Sequence, residues 1–354
     1  MEAASVPVRT SRTAPVAALR TFLSRYGLIL VLLALPVFYG VKDLSADGNL
    51  THLGENLKDG ISNGAIWALV AIGYTLVYGI IELINFAHGD VFMIGSFVSF
   101  SFWSTIGLTL VSGGAGLFFG LLITLVIAML ACGVLNVLIE RVAYRPLRNA
   151  PKLAPLITAV GFSFILQNVG LEWLGGSQRG VDDLIKAQKV FFTIGGVHIT
   201  HADVLAVAVT APLVALLAWF VTKTRLGKAM RATAQEPEAA RLMGVNVDTT
   251  ISLTFLLGGI MAGAAGLIYA LYQTTIWFFQ GFQAGLIAFT AAVMGGIGNI
   301  QGAVLGGLII GCIQQISDNR IGGQWTPAIV FAYLVLIMVF KPQGLLGEET
   351  REAG

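Results

Sequence analysis

The sequence has little charge. Lys, Arg, Asp and Glu make up 11% of its 354 residues, where a soluble domain has about one quarter. A chain so poor in charge cannot clothe a whole surface for water, and its 56% hydrophobic content suits a bilayer instead. Cysteine is scarcer still. Cys132 and Cys312 both lie inside apolar runs, which excludes a disulfide framework and leaves two small hydrophobic side chains. The net charge is only +2, and the basic residues sit in short stretches, so no nucleic-acid surface is expected. No G-x-x-x-x-G-K-[ST] run occurs, so the chain has no P-loop to cradle a nucleotide. If ATP drives this protein, another chain binds it. A membrane enzyme would need a nucleophile with a base, or a metal set, and neither is evident. His198 and His201 could share a metal on one helical turn, but no further Cys, Asp or Glu ligand lies close in sequence; the pair reads as part of a surface loop.

What the chain does have is long hydrophobic runs. A helix needs about 20 apolar residues to cross the hydrocarbon core, and up to ten runs approach that length: Tyr26–Val41, Gly60–Ile81, Val91–Val111, Ala115–Ile139, Leu153–Leu174, Ala202–Val221, Thr250–Tyr272, Gly285–Gly298, Gly302–Ile316 and Pro327–Phe340. Several are short enough to be broken or re-entrant. The expected fold is therefore all-α, a polytopic membrane protein of about 8–10 transmembrane helices.

Orientation follows from Lys and Arg. The first run is preceded by Arg9, Arg12, Arg20 and Arg25 with no clear A-x-A-like cleavage site after it, so it is expected to be a retained helix with its N-terminus in the cytoplasm. Counted from there, the loops after the fourth and sixth spans fall inside. These are the loops that carry Arg141, Arg145, Arg148 and Lys152, and Lys223, Arg225, Lys228, Arg231 and Arg241, as cytoplasmic loops should. Gly175–His201 would then lie outside, and Lys341 with the polar tail inside.

Glycine is abundant, at 43 positions. Gly116 with Gly120, Gly259 with Gly263, and Gly298 with Gly302 and Gly306 have the spacing that lets helix backbones approach closely. The stretch from Gly295 to Gly302 is too broken for continuous helix and reads as a turn or unwound point. Irregular backbone at membrane depth survives only against protein or a watery cavity, which makes Gly296 and Gly298 candidates for a cavity wall. The segment Glu82–Asp90 places Glu82, Asn85, His88 and Asp90 between two apolar runs. It reads either as an ordinary loop or as an interrupted helix dipping into the membrane. In the second case its first N–H groups could hold a carboxylate, unless Asp90 caps them itself. Gln167 and Asn168 in the fifth run are further polar candidates for the pathway or its gate, with helix–helix hydrogen bonding as the alternative.

Residues 236–244 read as a short helix with both ends marked. Pro237 suits the first helical position, Glu236 and Glu238 the positive end of the dipole, Arg241 the last turn and Gly244 the residue beyond it. Ala239, Leu242 and Met243 share one face, which could pack on the protein itself or on a partner.

Glu238-Ala239-Ala240-x-x-x-Gly244 resembles the cytoplasmic coupling helix of ABC-importer permeases. With Gly79–Asp90, Arg231–Gln235 and the Met294–Gly307 glycine series, the chain resembles the branched-chain amino acid permease family, and more closely its leucine, isoleucine and valine H-type branch. The likeness implies a permease domain over 55–346, preceded by an N-terminal tail and a less characteristic first helix over 1–54 and followed by a tail over 347–354. It implies that Glu236, Pro237, Glu238, Ala239, Ala240, Arg241 and Gly244 couple to an ATPase. It also implies a homologous second permease chain, two ATPases that use ATP and Mg, and an external binding protein, in a bacterial inner membrane with no cofactor on this chain. Branched-chain amino acids are the implied cargo. Urea, amides or other amino acids are the alternatives within the class, and an ion-coupled carrier the alternative outside it, with few intramembrane charges to serve it.

Overall fold

A computed structural model describes residues 14–109, 113–148 and 150–347. Arg9 and Arg12, the 110–111 end of the third predicted span and the tail from 348 onward lie outside the described residues.

Each of the ten runs contains a helix, although the third and eighth overrun theirs, which stop at Thr105 and Gly295: α1 (Ala14–Asp47), α2 (Thr51–Ile81), α3 (His88–Thr105), α4 (Gly114–Ile139), α5 (Leu153–Leu174), α6 (His201–Lys223), α9 (Val247–Gln273), α10 (Gln280–Gly295), α11 (Ile300–Ser317) and α12 (Thr326–Phe340). Two further helices, α7 (Arg225–Gln235) and α8 (Pro237–Leu242), fill the basic connection before α9. Among the described helices seven are long and apolar enough to cross a bilayer. At about 1.5 Å per residue, the 16 residues of α10 and 15 of α12 reach about 24 and 22 Å, short of the roughly 30 Å core. The 31 residues of α2 reach about 46 Å.

Strand is confined to the connections at one end. Strand β1 (Arg179–Gly180) pairs antiparallel with β4 (Thr275–Ile276), and β2 (Val190–Ile194) with β3 (Val197–Thr200). Part of the predicted 175–201 loop is thus a hairpin. His198 lies in β3 and His201 opens α6, so the two do not share a helical turn. Each ring uses Nδ1 locally, on the Thr193 hydroxyl and the Ile185 carbonyl.

The apolar helices sort into an enclosed set and an outer set. Within their apolar stretches α2 is 83% buried and α9 72%, against 17% for α1, 22% for α6, 28% for α4 and 33% for α5. The outer helices expose Phe118, Leu130, Ile157, Phe164, Leu216 and Trp219. Contiguous apolar surface of this kind is covered by lipid or by another membrane chain. Small residues let the enclosed helices meet backbone to backbone. Gly60 and Gly64 of α2 lie against Cys312 and Leu308 of α11, and Gly259 and Gly263 of α9 against Cys132 and Ala128 of α4. The 298–302–306 stripe is divided: Gly298 belongs to a turn, while Gly302 and Gly306 begin α11 and pack on Gly295 and Ala291 of α10.

The ends of the bundle differ in chemistry. One gathers Arg141, Arg145, Arg148, Lys152, α7 and α8, together with the chain after Lys341. The other carries the β2–β3 hairpin, and there Arg320 pairs with Asp43 at 2.7 Å.

Candidate functional site

At the basic end, α8 has the caps the sequence specifies. Glu236 is the extended N-cap residue and Pro237 occupies the first turn. The helix stops because Gly244 takes φ +84°, a left-handed conformation disfavoured for residues with a Cβ. Its N–H bonds the Arg241 carbonyl at 3.1 Å, and that of Val245 bonds the Ala240 carbonyl at 3.0 Å. Ala240 is buried, whereas Ala239 is exposed and Leu242 and Met243 are 88% and 85% exposed. The apolar stripe therefore faces outward. Helix α7 anchors it: Thr224 caps the Gly227 N–H at 3.0 Å, Arg231 bonds the Val221 carbonyl, and Met230 and Thr233 are buried.

The exit from α8 is tied to α4. Asp248, in the first turn of α9, accepts from Arg145 at 2.9 Å and Arg148 at 2.5 Å. Arg148 also pairs with Glu140, fully buried in a π-helical turn after α4, and Glu140 accepts from Ser252 at 2.7 Å. The sequence carries no motif for this group. Its only local signal is an acidic residue at the end of an apolar run, with arginines after it.

At mid-bundle the chain doubles back. Helix α2 ends at Glu82, which is left-handed at φ +51° and whose side chain pairs with Lys152 at 3.1 Å on the surface. Six residues later His88 packs against Gly73, eight residues before the end of α2, so α3 begins about 12 Å back along that helix. The His88 ring is buried edge-on to Tyr74 with centroids 4.8 Å apart. Neither ring nitrogen closes a well-formed hydrogen bond, the Val70 carbonyl being its polar neighbour. Asp90, also fully buried, accepts from Ser163 at 2.5 Å, and Gln167 donates to Ser163 at 3.0 Å. The first turn of α10 crosses here. Gly281 lies against Asp90 and the Gly89 carbonyl, Gly285 against Gly89, and Gln280 donates to Ser96 at 2.9 Å.

Asp90 and Gln167 thus come together through Ser163, with Gln280 and Ser96 at the α10 crossing, while the His88 ring on the same turn of α3 lies against α2. Asn85 belongs to an adjoining knot, donating to Asn136 at 3.2 Å and sharing the Tyr144 hydroxyl with the Ile84 carbonyl. Glu82 is at the basic surface. Asn168 is exposed on another face of α5, bonded to the Phe164 carbonyl at 2.8 Å. Gly296 and Gly298 form the α10–α11 turn at the basic end. The chain beyond α12 clasps that turn: the Leu345 and Leu346 N–H groups bond the Met294 and Gly295 carbonyls at 2.8 and 2.9 Å.

Toward the hairpin end, a cavity of about 320 Å³ opens between α2, α9 and α11; its wall includes Lys58, Asp59, Asn63, Gln273, Gln314 and Gln315. Asn63 donates to Gln315 at 3.0 Å and accepts from Gln273 at 3.2 Å, and the Trp67 indole donates to Gln314 at 2.6 Å. Trp67 also packs on Phe92 and Tyr269, with centroids 6.2 and 6.0 Å away. The charged residues precede the apolar run that begins at Gly60. Helix α2 begins at Thr51, and the spacing of Glu55, Lys58, Asp59 and Asn63 along it puts them on one face. Among the described residues no group of three or more His, Cys, Asp or Glu could hold a metal.

The family model for the permease component of the branched-chain amino acid transport system matches residues 56–339. Among curated proteins, the high-affinity branched-chain amino acid transport system permease protein BraD of Pseudomonas aeruginosa is 38% identical over 84% of this chain and 96% of its own. LivH of Escherichia coli, described in the same words, is 38% identical over 83% and 95%. A more distant match, the autoinducer 2 import system permease protein LsrC of Shigella flexneri, is 28% identical over 53% and 56%. No solved structure matches the chain.

Proposed function

This chain belongs to the branched-chain amino acid transport permease family, and on that footing we propose that it is the membrane-spanning subunit of an ATP-driven importer that carries branched-chain amino acids across a bacterial inner membrane. The chain is a transport subunit and not an enzyme. ATPase and external binding-protein partners follow from that class; a complex of two homologous permease chains and two ATPases is the arrangement we propose.

The observation that carries the reading is α8. It is a helix with a built start and stop, held to the bundle by Ala240, and it offers Leu242 and Met243 to a partner at the basic end. Lys and Arg favour the cytoplasmic side of a membrane, so that end is proposed to face the ATPases and the hairpin end the external binding protein. Nucleotide-driven movement of α8 would pass through Asp248 to Arg148 and Glu140, and so to α4 and α5. The polar meeting point of α3 and α10 is proposed to lie along the gated path: irregular backbone and a buried carboxylate are costly at that depth and are tolerated where they serve a pathway.

The test is reconstitution of the chain with its permease partner, ATPases and binding protein in liposomes. Accumulation of L-leucine that requires internal ATP and the loaded binding protein is expected. Accumulation driven by an ion gradient without ATP would sink the reading.

A further inference from the structure

The cavity at the hairpin end is not explained by packing, and its chemistry is bipolar. Lys58 and Asp59 stand on one wall, 2.7 Å apart, and behind that wall Lys58 also reaches Asp203 at 3.2 Å and Glu55 at 3.3 Å, a single cation among three carboxylates. One positive against three negative charges leaves that side with an excess of two negative charges, in a recess where Lys58 is 15% and Asp203 5% exposed. A second cation would be welcome there. The opposite wall, on α11, carries two amides, with the Asp318 carboxylate one turn beyond Gln314 and held by the Thr326 hydroxyl. The Trp67 indole N–H can only donate, so the Gln314 oxygen must be turned toward it; the Gln315 oxygen is likewise taken by Asn63. Both glutamines therefore have their amide –NH₂ groups left for the cavity, and these suit an anion.

We propose that this cavity is a transit site for the zwitterionic end of an amino acid, with the α-ammonium on Asp59 and the α-carboxylate on the amide groups of Gln314 and Gln315. The proposal rests on the importer reading above and extends it to a place and a set of contacts. Its volume of about 320 Å³ lies at the small end of ligand sites. The polar wall recognises what all α-amino acids share, so selection of the side chain belongs elsewhere. Binding is weak because the ligand must leave again. Below the site, the bonds of Trp67 to Gln314 and of Asn63 to Gln315 and Gln273 tie α2, α9 and α11 together and hold the two amide oxygens in place, which leaves their –NH₂ groups to the ligand.

The test uses the permease–ATPase complex without nucleotide, with Cys132 and Cys312 replaced by alanine and Gln188→Cys or Gln273→Cys as reporter. Both reporter positions line the cavity and are exposed. For a site with a dissociation constant of about 1 mM, L-leucine at ten times that concentration is expected to slow maleimide labelling about tenfold, by the occupancy factor 1 + [L]/Kd. Isopentylamine and 4-methylpentanoate, each with one of the two charges, are expected to leave the rate unchanged, and Asp59→Asn to abolish the protection. Labelling at both reporters that ignores leucine overturns the site, as does equal protection by either singly charged compound or protection that survives Asp59→Asn. Protection in a complex that accumulates no leucine with ATP and binding protein would instead remove the importer reading and leave the site standing.

Discussion

The Asp90 carboxylate accepts a 2.5 Å hydrogen bond from the Ser163 hydroxyl, joining the first turn of α3 to the middle of α5. Its other oxygen is buried without a hydrogen-bond partner, so Ser163, backed by Gln167, makes the carboxylate tolerable at that depth. Ser163→Ala is expected to destabilise the protein by about 1–3 kcal/mol, as for other buried polar groups left unsatisfied, and to lower leucine uptake. Ser163→Thr, which keeps the hydroxyl, is expected to retain most of both. Thermal unfolding in detergent and uptake in proteoliposomes measure the two effects, and a fully stable alanine variant would show that Asp90 is held in some other way.

Gly73 is where α2 makes room for His88. A Cβ there would run into the imidazole ring, and the Gly258 carbonyl lies on the same side. Gly73→Ala is expected to cost about 1–3 kcal/mol by overpacking, and His88→Ser to relieve it in the double variant. A double-mutant cycle reads the coupling directly; purely additive effects would mean the two positions do not press on each other.

At α8 the expected loss is in binding and not in folding. Leu242 and Met243 touch little of their own chain, so Leu242→Asp with Met243→Asp is expected to leave thermal stability unchanged. ATPase affinity should fall by about 2 kcal/mol, roughly thirtyfold. Titration of purified ATPase onto the permease measures it. Gly244→Ala acts on the same stop through its backbone, since no atom crowds its Cβ position and only φ +84° opposes the substitution; about 1 kcal/mol of local strain is expected.

Glu140 and Asp248 share Arg148 but not its consequences. Glu140 is fully buried whereas the Asp248 side chain is 45% exposed. Arg148→Met leaves a buried carboxylate without its cation and is expected to cost about 3–5 kcal/mol; Asp248→Asn, at a solvated pair, about 1 kcal/mol or less. Equal costs in urea or thermal unfolding would mean that Glu140 does not depend on Arg148.

The orientation of the bundle is open to labelling in whole cells. With the native cysteines replaced, Gln188→Cys is expected to react with a membrane-impermeant maleimide from outside, and Met243→Cys only after the membrane is permeabilised. The reverse pattern would put α8 out of reach of any cytoplasmic ATPase.

Much of the bundle was legible in the residues because it depends on short-range chemistry. Pro237 and Gly244 mark the ends of α8 by what their own backbones can and cannot do, and the apolar runs become helices because a bilayer leaves no other way to satisfy a backbone. The polar candidates fared unevenly for the same reason. Local pattern placed Asn85, His88 and Asp90 at a break between two runs, where the chain does double back. It could not tell that Gln167 faces Ser163 and Asp90 while Asn168, one residue on, points to the other side of α5. Lys58 and Asp59 bound the apolar run in the sequence, although the helix continues through them.

Composition and neighbouring residues suffice to specify a helical membrane protein, with a basic end and a capped helix at that end. Those properties are sums over composition, or belong to neighbouring residues, and need no knowledge of what lies across the bundle. Helix packing alone brings α3 and α10 together in mid-bundle at Gly89 and Gly281, sets Ser163 against Asp90, and closes Gln314 on α11 against Trp67 on α2 at a distance of 247 residues along the chain. Such pairs are set by how glycine-lined helices pack against one another, and neither partner carries a mark of the other in its own neighbourhood.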